Sequence, residues 1–450
     1  MPTPPSATAR DEPVIRDRGD ACPGALRLHA ADDGYLARVR IPGGLLTARQ
    51  ASVLALAADR FGNGHLELTS RGNVQLRGLA EGCGAGLAEL LDGAGLLPAP
   101  GHERVRNIVA TPLSGILGTE RPHVTPWVGE LDRLLCASAR ATALSGRFLF
   151  AIDDGRGDVA ALDPDVTLLG APRGRALVRL GAAPGAVEVD AADAPRAALL
   201  AAEYFLDSAD AAGTRAWRVS ELPAVHAPEA AELAARLTAA GIAADLVPEV
   251  SWPYAPPPKP WGPGTGDRTP LCVLPPLGRL TADQWRVLVR VAGDGQGAEG
   301  ADGGTDGDGE LRITPWRSIV LPRASTRRPV DGYAQLVAAG LSVAPDGPWE
   351  SVTACTGQPG CAKALSDVRA DARSVVGADG GAPAGPAGAP VHWSGCERRC
   401  GHPRGTAWVD LVATPDGYRL DGRPVPSHEL AQAVADARSQ PRVSEDAVKK

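Results

Sequence analysis

The chain carries one pattern twice. From Leu36 it reads LARVRIPGGLLTARQASVLALAADRFGNGHLELTSRGNVQLRGL, the order strand, turn, helix, strand, turn, strand. VRI and HLELTS alternate or are β-branched. TARQASVLALAADRF has the apolar period of a helix, with Thr47 placed as its N-cap. From Leu271, LCVLPPLGRLTADQWRVLVRVAG and then ELRITPWRSIVLP repeat that order. LLTARQ matches RLTADQ, and LELTSRGNVQL matches LRITPWRSIVL. Thr47 and Thr281 are 234 residues apart, Thr69 and Thr314 are 245 apart. The extra length falls in GDGQGAEGADGGTDGDGE, a Gly/Asp-rich insertion between helix and strand. A solenoid repeats every about 20–50 residues, so this longer period predicts a pseudo-two-fold molecule with a site between its halves.

The duplication runs on. RNIVATPLSG at Arg106 resembles ESVTACTGQPG at Glu350, and Thr111 stands where the later copy has Cys355. Each small α/β unit is therefore followed by a second one. The predicted organisation is a disordered lead (1–19), a first half-domain (20–82) and a first α/β domain without cysteine pairs (95–248). A Pro-rich linker (249–268) follows, then a second half-domain (269–340) with the insertion at 293–309, and a cysteine-bearing α/β domain (345–438). Gly295, Gly297 and Gly300 have G-x-G-x-x-G spacing. A dinucleotide site needs a strand before that motif and a helix after it. Here a helix precedes and an acidic run follows, which reads as a loop.

The later copy holds two cysteine pairs. Cys355 and Cys361 have five residues between them, Cys396 and Cys400 three, and a Gly/Pro/Ala-rich stretch separates the pairs. Buried free thiols would explain one or two of these. Structural zinc fits the second spacing but not the first. A [4Fe–4S] cluster accepts four thiolates at varied spacing, and the glycines with Pro359 suit turns around a bulky inorganic group. Spacing alone leaves these readings open. Cys22, Cys83, Cys136 and Cys272 suggest no chemistry.

Composition excludes some functions. A formal net charge of −7 argues against a general nucleic-acid binder, yet leaves room for a local arginine cluster that binds an anionic ligand. Arginine carries nearly all the positive charge, lysine standing only at 259, 363, 449 and 450. No apolar run is long enough for a membrane span, and MPTPPSATARDEP lacks the apolar centre of a signal peptide. The expectation is a cytoplasmic protein whose cysteines are thiols or metal ligands.

C-x5-C followed by C-x3-C, after a duplicated half-domain bearing LTSRGNVQL, resembles the sulfite/nitrite reductase superfamily over roughly residues 22–434. Within it, DACPGALRLHAADDGYLARVRIPGG, TACTGQPGCAKALSDVRADA and VHWSGCERRCGHP are most similar to the precorrin-3B synthase family. The resemblance implies an α+β fold, a pseudo-two-fold duplicated sulfite/nitrite reductase-like fold with ferredoxin-like half-domains and two α/β cluster-type domains. It implies a [4Fe–4S] cluster on Cys355, Cys361, Cys396 and Cys400, and a mononuclear non-haem iron for which His392 and His402 are the nearest histidines in sequence. It implies an O2-dependent monooxygenase that hydroxylates precorrin-3A at C20 with γ-lactone formation, in aerobic cobalamin biosynthesis, supplied with electrons from NADH through a separate donor protein. The alternative is a sirohaem-dependent sulfite or nitrite reductase.

A tetrapyrrole of this kind bears many carboxylates, which guanidinium groups bind in a bidentate fashion. By motif match the resemblance marks Arg40, Arg71, Arg106 and Arg147 in the first half, with Gln75 as a polar partner of Arg71, and Arg312 and Arg317 in the second. One departure stands out. Where the reductases carry Lys-x-Lys, this chain has Arg147 and Leu149 within Gly146-Arg147-Phe148-Leu149. Losing one cation disfavours an inorganic anion and suits a neutral co-substrate.

Overall fold

Thr47 and Thr281 cap two helices in the same way. Each hydroxyl accepts from the backbone N–H three residues on, and Gln50 or Gln284 reaches back to the cap's own N–H. These capping boxes satisfy two otherwise orphaned donors at each helix start. The helices are Ala48–Phe61 and Ala282–Ala292. They pack together through Trp285, fully buried, whose indole N–H donates to the Ala51 carbonyl at 2.8 Å. In the computed structural model, the described residues are 20, 22–117, 120–261, 270–293, 309–322, 329–376, 388–402 and 407–440. The Gly/Asp-rich insertion between residues 293 and 309, the lead over residues 1–19 and most of the Pro-rich linker's second half lie outside them.

The chain divides into two compact units. One comprises Ala25–Val39, Leu45–Leu96 and Pro258–Lys450. It contains both half-domains, and their strands are exchanged. Arg279–Thr281 joins the edge of the sheet formed by His29–Ala31, Gly34–Val39, Val74–Leu79 and His65–Leu68. Leu45–Thr47 joins the sheet of Leu271–Val273, Ile319–Leu321 and Glu310–Ile313 in return. The two pairings mirror each other: Thr281 lies opposite His65, and Thr47 opposite Glu310. The predicted duplication is therefore present, with one element that the sequence pattern did not reveal, the three-residue strand before each helix.

The same unit ends in a five-stranded sheet. Val352–Ala354, Val391–Ser394 and Val409–Thr414 are parallel neighbours, and Gly417–Leu420 and Arg423–Val425 continue antiparallel. Val368–Val376 and Leu430–Ser439 supply its helices, over a core that includes Trp393, Val391, Leu411 and Val368.

The other unit comprises Met1–Gly24, Arg40–Gly44 and Leu97–Pro257. Its sheet begins in the same way, with Ile108–Ala110, Phe150–Asp153 and Val166–Ala171 parallel, and continues antiparallel through Arg175–Leu180, Ala186–Asp190 and Ala244–Val247. Phe148, Phe150 and Phe205 pack ring on ring in its core. Among the described residues no helix is long and apolar enough to cross a membrane.

Candidate cluster and tetrapyrrole site

Parallel pairing places the two cysteine loops at one edge of a sheet. Val352–Ala354 and Val391–Ser394 run side by side with Ala354 opposite Trp393, so the loops that begin at Cys355 and Gly395 leave from the same end. They interlock there. The Cys355 N–H donates to the Trp393 carbonyl (2.9 Å) and the Leu365 N–H to the Gly395 carbonyl (2.8 Å). The Gly395 N–H donates to Cys355 Sγ at 3.1 Å. A β-carbon at Gly395 would meet the Ala364 β-carbon at 2.7 Å, so only glycine permits this approach.

All four cysteines are free; Cys355, Cys361 and Cys396 are half-buried and Cys400 is exposed. Burial pushes the Cys355 thiol up, against the N–H groups of Gly395 and Gly357, and the charge of Cys400 is felt there. Among the described residues no three His, Cys, Asp or Glu side chains converge as a single metal ion requires. One ion draws its ligands to a common point. A four-iron cluster bonds each thiolate to a different iron and needs a ring of sulfurs instead. The chemistry of the loops fits that group: four thiols, amide N–H groups aimed at sulfur, and Ser394. The Ser394 hydroxyl is fully buried, has no hydrogen-bond partner among the described residues, and directly precedes Gly395 and Cys396. A buried hydroxyl left over by the protein is what a bound sulfur-rich group would satisfy.

Charged side chains brace the loops. Arg369, on the Val368–Val376 helix, donates to the Cys355 carbonyl (3.2 Å) and pairs with buried Glu67 at 2.5 Å. Arg279 lies 3.7 Å from the same carboxylate. Burial pushes Glu67 up, but Arg369, with Arg77 and Arg279 near, outweighs it and holds the carboxyl below its usual range. Arg77 pairs with Asp33 through both its Nε and Nη2 and also donates to the Gly360 carbonyl at 2.7 Å. The Ala362 N–H donates to Asp32. Sequence reasoning missed Arg369, Glu67 and Arg77. The signals were present: an acid amid the apolar residues of HLELT, and an arginine on the helix that follows Cys361.

His392 is fully buried. Its Nε2 lies 3.1 Å from the Cys400 carbonyl, which can only accept, so Nε2 carries the proton. Burial, with Arg317 beside it, lowers its pKa to about 3. The ring is thus neutral, and Nδ1 accepts from the Thr353 hydroxyl at 2.8 Å. Neither nitrogen is open to iron. His392 positions the Cys400 loop. His402 is exposed and stacks on Trp408 at 5.3 Å.

The arginines divide by environment. Arg317 takes φ +62° in the position where the first copy has Gly72 at +67°. Its guanidinium donates to the Gly401 carbonyl at 3.3 Å, and among the described residues no carboxylate pairs with it. Burial and neighbouring Arg369 lower its pKa to about 10. Arg71 sits half-buried on the turn of the equivalent hairpin, its N–H on the Thr69 hydroxyl. Gln75 is not placed with Arg71 as expected; it accepts from Arg38 (3.0 Å) and donates to Glu67 (3.3 Å), because it faces those strand neighbours. Arg312 is buried on Glu310, at 2.7 Å. In the other unit, Arg106 is buried in a two-bond pair with Asp132, both at 2.6 Å, and Arg40 is buried with its Nε toward the Arg104 carbonyl. Arg147 is exposed, its guanidinium 4.6 Å from the centre of the Trp217 ring, and Leu149 is buried.

These features define a duplicated, oxidoreductase-associated fold of the sulfite/nitrite reductase type. Residues 29–92 and 264–327 each match the nitrite/sulfite reductase ferredoxin-like half domain. A precorrin-3B synthase from a Sinorhizobium species is 35% identical over 156 residues, 34% of this chain and 33% of that protein. Ferredoxin–nitrite reductase of Synechococcus elongatus is 33% identical over 128 residues, 27% of this chain and 25% of that protein. The chain thus spans a third or less of the length of these curated relatives. The NirA protein of Mycobacterium tuberculosis shares the fold with a TM-score of 0.64, covering 88% of this chain and 79% of NirA at 19% identity. The similarity holds at the level of the superfamily, to reductases and precorrin-3B synthase alike.

Proposed function

We propose that this chain is an iron–sulfur oxidoreductase acting on a carboxylate-rich tetrapyrrole: an O2-dependent monooxygenase that hydroxylates precorrin-3A at C20 with γ-lactone formation. The observation that carries the reading is Arg317. It is held in a conformation costly to any residue but glycine, beside Cys400–Gly401, with no carboxylate paired to it among the described residues. A tetrapyrrole carboxylate is the natural partner for such a group. Arg71, on the matching turn of the first copy, is the second candidate for that role.

Bound on Cys355, Cys361, Cys396 and Cys400, a [4Fe–4S] cluster supplies single electrons, which triplet O2 requires before it can react with a closed-shell macrocycle. The protein's part is placement. His392 and Thr353 fix the Cys400 loop, Arg369 and Arg77 fix the Cys355–Cys361 loop, and Ser394 offers a hydroxyl to the cluster's surroundings. Holding a substrate acetate against the oxygenated ring carbon makes lactone closure intramolecular. A mononuclear non-haem iron belongs to this reading, with His402 the histidine to test as its ligand. NADH electrons arrive through a separate carrier protein.

A second reading, a sirohaem-dependent sulfite or nitrite reductase, has the wider support among the sequence comparisons, through the nitrite reductases. The Arg147–Leu149 segment favours the first, since exposed Arg147 stacks on Trp217 and buried Leu149 offers no charge. Absorption spectra of anaerobically purified protein separate the two. Intense sirohaem bands would overturn the monooxygenase reading. Incubation with precorrin-3A, labelled O2 and a reductant is expected to place labelled oxygen in the product, read by mass spectrometry; no label would refute it.

A further inference from the structure

The sheet that begins with Ile108–Ala110 holds a row of residues on one face. Ala151, Thr167 and Arg179 lie side by side on three neighbouring strands. Thr167 is fully buried, and its hydroxyl has no hydrogen-bond partner among the described residues. Arg179, directly opposite it, is half-buried, and its Nε–H is buried and equally unmet. The Arg179 guanidinium lies 3.8 Å from the centre of the Trp252 ring, whose Nε1–H is also buried without a partner. The segment bearing Trp252 is pinned on both sides. The Val250 N–H donates to the Pro184 carbonyl at 3.1 Å. A β-carbon at Gly157 would overlap the Pro253 carbonyl oxygen, so only glycine admits the segment there. Among the described residues no carboxylate forms an ion pair with Arg179. Asp163, whose charge reaches it, pairs with Arg218 at 3.4 Å.

We propose that Thr167, Arg179 and Trp252 form a binding site for a halide ion. Buried polar groups are nearly always hydrogen-bonded, so three unmet donors side by side call for a shared acceptor. Opposed strand residues hold their β-carbons about 4.5–5.5 Å apart, and the indole lies on the guanidinium, so one atom can serve all three. A guanidinium stacked on an indole keeps its edge N–H groups for a ligand. Its charge makes that ligand an anion, because a half-buried cation without a carboxylate is costly. Water would meet the hydrogen bonds and leave the charge. One cation calls for one negative charge, and one buried donor from each group suits a spherical ion. Ala151 presents only a methyl beside Thr167, which leaves room for it. The ion would tie the Trp252 segment to the sheet, and the proposal stands apart from the reading of the cysteines.

The test titrates the full chain with sodium bromide in place of sodium gluconate, at fixed ionic strength so that screening stays constant. A ligand of the folded state stabilises it by mass action, so the melting temperature in scanning calorimetry should climb with bromide concentration. Thr167→Val keeps the shape and deletes the hydroxyl; Trp252→Phe keeps an aromatic ring under the guanidinium and deletes the N–H. Each is expected to weaken bromide binding about tenfold or more, as the loss of a hydrogen bond to a charged group does. Arg179→Gln should abolish the response. In gluconate alone Thr167→Val should melt no lower than the parent, because the hydroxyl it removes has no partner to lose. Parent crystals soaked in bromide locate the ion by anomalous scattering without any variant. A peak within hydrogen-bond reach of the three donors is the expected result. A parent melting temperature indifferent to bromide, an equal response in parent and Arg179→Gln, or bromide peaks only elsewhere would overturn the site. The stack of Arg179 on Trp252 would then be a structural clamp edged by water.

Discussion

Arg317 and Gly72 occupy matching turns with the same left-handed backbone, yet only one is glycine. An L-residue there costs roughly 1–3 kcal/mol, and Arg317→Gly removes that strain while giving back part of the gain in chain entropy. The variant is therefore expected to melt at the parent's temperature or slightly higher. Charge-assisted hydrogen bonds are worth about 1.5–3 kcal/mol, so its affinity for a carboxylate-rich porphyrin should fall roughly tenfold to a hundredfold. Fluorescence titration and calorimetry on the same samples check both halves. A variant that loses stability without losing affinity would make Arg317 a structural residue. Ser394 allows a test by removal of a single heavy atom. Hydrogen bonds to the sulfurs raise an iron–sulfur potential, so Ser394→Ala should keep the EPR signal and lower the midpoint potential in a spectroelectrochemical titration. An unchanged potential would show that the hydroxyl does not face the cluster.

Helix caps and apolar periods are local signals, and the duplicated helices were legible for that reason. Thr47 with Gln50, and Thr281 with Gln284, lie within one turn of chain. The strand exchange was not legible, because Leu45–Thr47 finds its partner more than 260 residues away, and three residues carry too little pattern to reveal it. The spacing of the cysteine pairs was legible. Their bracing was not, since the Glu67–Arg369 pair depends on burial and on two distant elements meeting. Gln75 was assigned the wrong neighbour for the same reason: its strand position fixes its direction, and that direction leads to Arg38 and Glu67. The exchange predicts that the helix pair is a shared core. Trp285→Ala should cost about 3–5 kcal/mol, as large aromatic truncations in cores do. Trp285→Phe, which keeps an aromatic ring but loses the indole N–H bond to an Ala51 carbonyl that the helix ladder still satisfies, should cost less, about 0.5–1.5 kcal/mol for that bond. Denaturant melts followed by circular dichroism give both values, and a small loss for Trp285→Ala would mean the two copies are stabilised independently.

Across the whole chain, two sheets of the same parallel start have met different ends. Where one has Cys355, the other has Thr111, whose hydroxyl donates to buried Asp158 at 2.7 Å. Where one leaves Ser394 without a partner among the described residues, the other has Asp153, which collects the N–H groups of Gly155, Gly157 and Ala160. The loops of the first copy are closed by hydrogen bonds to carboxylates, and those of the second are left with thiols. That closure carries a pH dependence. Burial, then the charge of Asp153, pushes Asp158 up to about 7, so the folded state binds its proton more tightly than the unfolded chain does. The resulting stabilisation is complete below the ordinary value of 3.8 and is lost as pH rises through about 7. Asp165, raised to about 6 by burial against the pull of Arg218, acts in the same sense. Each tenfold change in proton affinity is worth about 1.4 kcal/mol. Asp158→Asn keeps an acceptor for Thr111 and removes the charge. It should raise the melting temperature at pH 8, change it little at pH 5, and flatten the slope between them in scanning calorimetry. An equal shift at both pH values would mean that Asp158 is already ionised in the folded protein and that Asp153 or Asp165 holds the proton.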